Sequence, residues 1–242
     1  MAEATELRRD EGGGDSLLAS WYRFFMSAVG AKMLMAATGI GLWLFIVAHL
    51  AGNLTAFGGK EIFNHYAEAL KGNAPLLWAV RSALILGFPI HILTAIRTAA
   101  LNRSARPVGY AFANKAPAAL AAKTMLISGL LVMTFFAYHL AHFTWHLTGP
   151  QPTALLANGN YDAYTMLVMG FQQPLIAGLY IVGQLLLATH LSHGIYSMCQ
   201  HLGLWGTKWT PFLKTAANAI AWGICVLFSA IPAGVLFGVI KP

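Results

Sequence analysis

The chain has 242 residues, of which 57% are hydrophobic and only 10% charged, a balance that excludes a soluble globular protein and marks an integral membrane one. Its net charge of +7 is spread between apolar runs rather than gathered in a basic-aromatic patch, so membrane topology accounts for it and nucleic-acid binding is excluded. The two cysteines, Cys199 and Cys225, form no Cys-x-x-Cys or Cys-x-x-Cys-His pattern, which excludes a zinc ribbon, a disulfide framework and covalently attached haem.

Residues 1–20 are polar, Gly-rich and mixed in charge, with no apolar core behind a basic start, so they read as a disordered cytoplasmic tail rather than a cleavable signal. Leu17 to Ser27, with Trp21, Tyr22, Arg23, Phe24 and Phe25, has the composition of a short helix lying at headgroup level. Residues 21–242 then form one membrane domain. A helix needs ~20 mostly apolar residues to cross a bilayer, and five runs qualify: about 31–54, 76–101, 119–146, 168–199 and 213–239. The expected fold is therefore an all-α bundle of five transmembrane helices.

Orientation follows from lysine and arginine, which collect on cytoplasmic flanks. With the N-terminus inside, Arg8, Arg9, Arg23, Lys32, Arg97, Arg103, Arg106, Lys115, Lys123, Lys208 and Lys214 lie inside, and only Lys60, Lys71, Arg81 and Lys241 lie outside. The expected placement is a multi-pass protein of the cell inner membrane with a cytoplasmic N-terminus and an external C-terminus. The connections 55–75 and 147–167 then lie outside, and turn signals at Gly58-Gly59 and Asn158-Gly159-Asn160 suggest small caps.

The first and third spans share a pattern. Thr38-Gly39, five residues, Phe45, three residues and His49-Leu50 match Ser128-Gly129, five residues, Phe135, three residues and His139-Leu140. Both spans run in the same direction, so glycine, phenylalanine and histidine fall at equivalent depths, and a glycine facing the bundle leaves room for close packing or a bulky group.

Ionisable side chains in hydrocarbon are costly, so intramembrane histidines invite a functional reading. At ~1.5 Å rise per residue, His49 and His139 lie in the outer half and His91 and His190 in the inner half. A single such histidine reads as a packing residue. Four in two layers, each supplied by helices running the same way, are what two stacked b-type haems need, because a six-coordinate haem takes one neutral imidazole on each face. His142 and His193 follow His139 and His190 by three residues and share nearly the same helical face, so either member of each pair could be the ligand. The repeat favours His139 and depth favours His190, leaving His142 and His193 to bond propionates, quinone or carbonyls. His65, His146 and His201 read as solvated. Zinc fits poorly, since a tetrahedral site gathers its ligands in one small sphere.

Ser27-x-x-Gly30-x-Lys32, Thr38-Gly39, His49-Leu50-x-Gly52-Asn53, Arg103-x-x-Arg106-Pro107-Val108-Gly109-Tyr110, His139-Leu140-x-x-Phe143, Phe171-Gln172-x-Pro174 and His190-Leu191-x-His193-Gly194 together resemble the succinate dehydrogenase cytochrome b subunit. The nearer likeness is to its single-polypeptide, dihaem, five-helix branch, over residues 21–204. The resemblance implies a membrane anchor that binds a flavoprotein and an iron-sulfur protein on the cytoplasmic side and can belong to a larger oligomer of the complex. It also implies two haem b on His49, His91, His139 and His190, and electrons passed from succinate through both to a quinone, menaquinone more often than ubiquinone in this branch. Such an anchor serves electron transfer and quinone chemistry rather than succinate oxidation itself. Fumarate reductase anchors share the architecture and run in reverse. Relatives that couple proton movement to electron transfer carry a glutamate two residues before the fourth-span ligand, where this chain has Ala188.

Haem propionates are anionic, and the groups able to meet them are Lys32, Arg97, Arg103, Arg106 and Tyr110 inside and Asn53, Trp145 and His146 outside. For a quinone slot, Glu61, His65, Tyr66 and Glu68 outside and Ser27 with Tyr110 inside are candidates. Two other readings fit the histidines: a hydrogenase or formate dehydrogenase cytochrome b anchor, and a histidine-relay transporter. Relays usually recruit carboxylates, and the five spans hold none.

Overall fold

In hydrocarbon a backbone has to close its own hydrogen bonds, and the apolar runs of this chain do so as helices. The computed structural model describes residues 16–105, 117–152, 156, 159, 161–204 and 206–242, and for 117–123 the helical backbone alone. Among the described residues there is no strand. The helices are α1 (Leu17–Met26), α2 (Ala28–Leu54), α3 (Lys60–Gly72), α4 (Ala74–Ser104), α5 (Pro117–Phe143), α6 (Ala163–Phe171), α7 (Pro174–His201) and α8 (Thr210–Leu236), with a 3-10 turn at Thr55–Gly58. The long helices α2, α4, α5, α7 and α8 are each apolar and long enough to span a membrane. The lipid-facing surface is apolar: Ile85, Leu86 and Leu93 of α4 are each about two-thirds exposed, while the buried residues of that helix are Thr94 and Thr98.

Element boundaries follow local chemistry. Ser27 caps α2 by accepting from Gly30 N at 3.0 Å, and Asn73 caps α4 by accepting from Leu76 N at 3.1 Å, with Pro75 in the first turn. The fourth span, expected from 168, starts at Pro174 instead, because Gln173 is extended (φ −86°, ψ 114°) and breaks the run into α6 and α7. A residue before proline is pushed out of the helical region, and proline itself suits a helix's first turn. The third and fifth spans stop at Phe143 and Leu236, three residues short of the expected ends. Helix α1 claims Leu17 to Ser20 from the expected tail, capped by Ser16, whose Oγ accepts from Ala19 N at 3.2 Å; the rest of that tail, 1–15, lies outside the described residues.

Helix α2 packs on α4, α5 on α7 and α7 on α8, and α2 also meets α7 and α8. The connections carrying α3 and α6 meet at one end of this bundle and cap it. Phe63, Tyr164, Val168, Phe171, Tyr180, Ile231 and Val235 bury together there. The opposite end carries α1 and the start of α2.

The cap is pinned by Asp162, which is buried although it is a carboxylate. Its Oδ1 accepts from Asn64 Nδ2 at 2.9 Å and Thr165 N at 3.0 Å, and its Oδ2 accepts from Thr165 Oγ1 at 2.7 Å and pairs with Lys60 Nζ at 2.6 Å. Burial pushes the carboxyl pKa up, but Lys60, Asn64 and Thr165 outweigh it and hold Asp162 well below the usual carboxylate range. A depressed folded pKa contributes stability that is present above the unfolded value, near 3.9, and is lost as pH falls toward the folded one. Asp162→Ala is therefore expected to cost about 1–3 kcal/mol through the lost cap and the stranded Asn64. Thermal unfolding in detergent should show a lower midpoint at pH 7, with the gap to wild type shrinking below about pH 4.

Candidate functional site

The four spanning histidines occupy two levels of the bundle. His49 on α2 and His139 on α5 stand near the capped end with ring centroids 5.7 Å apart and ring planes at 84°. Phe45 stacks on His49 at 5.3 Å, Phe135 lies 6.4 Å from His139, and Phe228 of α8 closes the side at 6.0 Å from His49. The two phenylalanines are the repeat's own, each one turn before its histidine. Tyr180 stands edge-on to His139 at 5.9 Å.

His91 on α4 and His190 on α7 form the other level, and each rests against the repeat of the helix beside it. His91 Nδ1 lies 3.3 Å from Thr38 Oγ1 and 3.2 Å from Met35 O, and a Cβ on Gly39 would stand 3.4 Å from its Cε1. His190 Nδ1 lies 3.1 Å from Ser128 Oγ, and a Cβ on Gly129 would stand 3.2 Å from its Cε1. Each ring thus has a hydroxyl at Nδ1 and a glycine under its edge. The two are close enough to interact electrostatically. Gly39 and Gly129 precede His49 and His139 by ten residues, which separates the levels by ~15 Å along the helices.

Among the described residues, no hydrogen bond reaches Nε2 of His91 or His190, or either ring nitrogen of His139. Asn53 Nδ2 sits 3.3 Å from both ring nitrogens of His49 but donates its clear bond, 2.8 Å, to His49 O. No three His, Cys, Asp or Glu side chains among the described residues gather to hold a bare metal ion. Imidazoles that come in twos, with a nitrogen left over on each, fit axial ligation of haem better than a tetrahedral metal.

His142 and His193 part company with their neighbours. His142 is fully buried against Gly149 and Gly170, stacks on Phe143 at 4.1 Å and meets Tyr180 OH through Nδ1 at 3.0 Å. Its Nε2 has no partner among the described residues. His193 and Lys32 both lie near His201 at the end opposite the cap, each close enough to act on it electrostatically. His201, read from sequence as solvated, is half-buried in that basic group. Its i+11 spacing from His190, three turns along one helix, could have signalled this.

The other candidates scatter. Arg97 donates to Met26 O, tying α4 to α1, and leaves its buried Nε unpartnered. Arg103 is exposed at the end of α4, Trp145 is exposed beyond α5, and His146 stacks on Tyr161 at 4.5 Å. Arg106 and Tyr110 lie outside the described residues. Ser27 spends its hydroxyl as the α2 cap and on Phe24 O at 2.7 Å. Glu61, His65 and Glu68 line an open pocket on the cap with Lys60, Asn64 and Leu156, whereas Tyr66 lies against Gly52. Sequence reading gave no role to Trp43, whose indole N–H is buried without a partner between the two levels.

Comparison of the chain with protein-family models, with curated proteins and with solved structures finds no match.

Proposed function

We propose that this chain is a dihaem cytochrome b and the membrane anchor of a succinate:quinone oxidoreductase. The observation that carries the reading is the use of one sequence repeat in two ways: its histidines pair at the capped level, and its hydroxyl-glycine steps hold the other pair of histidines at the second level. His49 and His139 would hold one haem and His91 and His190 the other. Bound there, haem b supplies reversible one-electron transfer.

The chain's own residues would do the rest. Lys32, His193 and His201 offer positive charge or N–H donors to propionates at the end opposite the cap. Phe45, stacked on His49, and Phe135, packed beside His139, would shield the capped level from water. The excess of lysine and arginine on the α1 side supports a cytoplasmic N-terminus. That side would receive the flavoprotein and iron-sulfur subunits, with menaquinone as the acceptor at a slot near either level.

The test is the composition of the purified complex. The expected result is two haem b per chain, with a covalent flavin and iron-sulfur clusters in the copurifying partners. Partners carrying nickel or molybdenum and no covalent flavin would make the chain a hydrogenase or formate dehydrogenase anchor instead. A colourless protein with a transport phenotype would leave the histidines to a relay.

A further inference from the structure

We propose that Thr38 and Ser128 are a matched pair of positioning residues that fix the tautomers of His91 and His190 and set the electron-donor strength of their Nε2 atoms. This rests on the haem reading and adds to it which side chains tune one of the two haems.

The tautomer follows from where each hydroxyl proton goes. Thr38 Oγ1 donates to Leu34 O at 2.8 Å, with Met35 O at 3.1 Å as a second acceptor, and Ser128 Oγ donates to Met125 O at 3.0 Å. A hydroxyl has one proton, and with that proton on the helix carbonyl the oxygen is left to accept from the imidazole beside it; at His91 the carbonyl of Met35, which can only accept, favours the same arrangement. The tautomer assigned by this arrangement has Nδ1 of His91 and of His190 protonated and the lone pair left on Nε2. A hydrogen bond from Nδ1–H raises the basicity of the other nitrogen, which favours the oxidised iron it would ligate.

The two seats are alike but not equal. His91 Nδ1 also reaches Met35 O at 3.2 Å, so it keeps an acceptor without Thr38. His190 has Ser128 alone among the described residues. At the capped level, among the described residues, His49 meets only an amide donor and His139 meets no acceptor, so the device belongs to one level of the bundle.

The experiment is a potentiometric titration of the purified complex followed at the haem bands, with His91→Ala used to identify the component held by His91 and His190. Ser128→Ala is expected to raise the midpoint of that component, by about tenfold in the reduction equilibrium at most, or 59 mV for one electron. Thr38→Val should raise it by less, Ser128→Thr should return it to the wild-type value, and the other component should stay put. Two haems with unchanged midpoints in Ser128→Ala, or equal shifts in both components, would overturn the proposal and leave the haem reading standing. If Ser128→Ala loses the component altogether, Ser128→Cys, a weaker acceptor of similar size, should keep it at a raised midpoint; an unmoved midpoint there overturns the proposal. A wild-type chain without haem would overturn both.

Discussion

His190→Ala is expected to remove one haem and leave the other, so the reduced-minus-oxidised b-type signal falls to about half. The Ser128 bond at 3.1 Å and the Gly129 seat fix this ring against α5, and its Nε2 has no hydrogen-bond partner among the described residues. Alanine cannot ligate, and a haem held by His91 alone loses half of its axial bonding. The control is His193→Ala. His193 lies one turn nearer the basic group of Lys32 and His201, so its loss should keep both haems. The opposite pattern, with His193→Ala removing the haem and His190→Ala keeping it, would reassign the ligand.

Gly183→Val should damage the other level. A Cβ at Gly183 would overlap the Phe135 ring, and Phe135 packs 6.4 Å from His139 and 5.3 Å from Tyr180. The ring cannot retreat without disturbing one of these contacts, because protein interiors are already close-packed. Overpacking of this kind costs about 1–3 kcal/mol. The expected outcome is a lower unfolding midpoint in detergent together with a perturbed spectrum or partial loss of the haem assigned to His49 and His139. The His91/His190 component should be unchanged, since Gly129 and Ser128 lie elsewhere on α5. A stable variant with both components intact would mean that Phe135 does not buttress that level.

These two substitutions also mark what could be read from the residues alone. The five spans were legible because lipid leaves an apolar run one option, and hydropathy reports it directly. The start of the fourth was not, because hydropathy runs on from Val168 through Phe171 while the break is made by Pro174 acting on Gln173. The first cap was legible from its turn signal at Gly58-Gly59, whereas Asn158 and Asn160 of the second signal lie outside the described residues. The joint of the caps was not legible, because Asn64 and Asp162 are 98 residues apart and nothing local to either foretells the bond.

The repeat shows the same division within the site. Its glycines and histidines could be read as a pattern of depths, since depth needs only the rise per residue. The hydroxyl half, Thr38 and Ser128, could not be given a task, because that depends on how α4 and α7 are rotated against their neighbours. Gly183 escaped for the same reason. It marks no turn and no motif, and its meaning lies in a phenylalanine on another helix.

The central claim is that four imidazoles on four spans hold two haems. The measurement that tests it most directly is a haem-to-protein ratio on the purified wild-type chain, taken from the pyridine haemochrome together with a reduced-minus-oxidised spectrum. The account predicts two non-covalent haem b per chain, both low-spin and six-coordinate. One haem per chain, or a chain that purifies without a b-type spectrum, would contradict it.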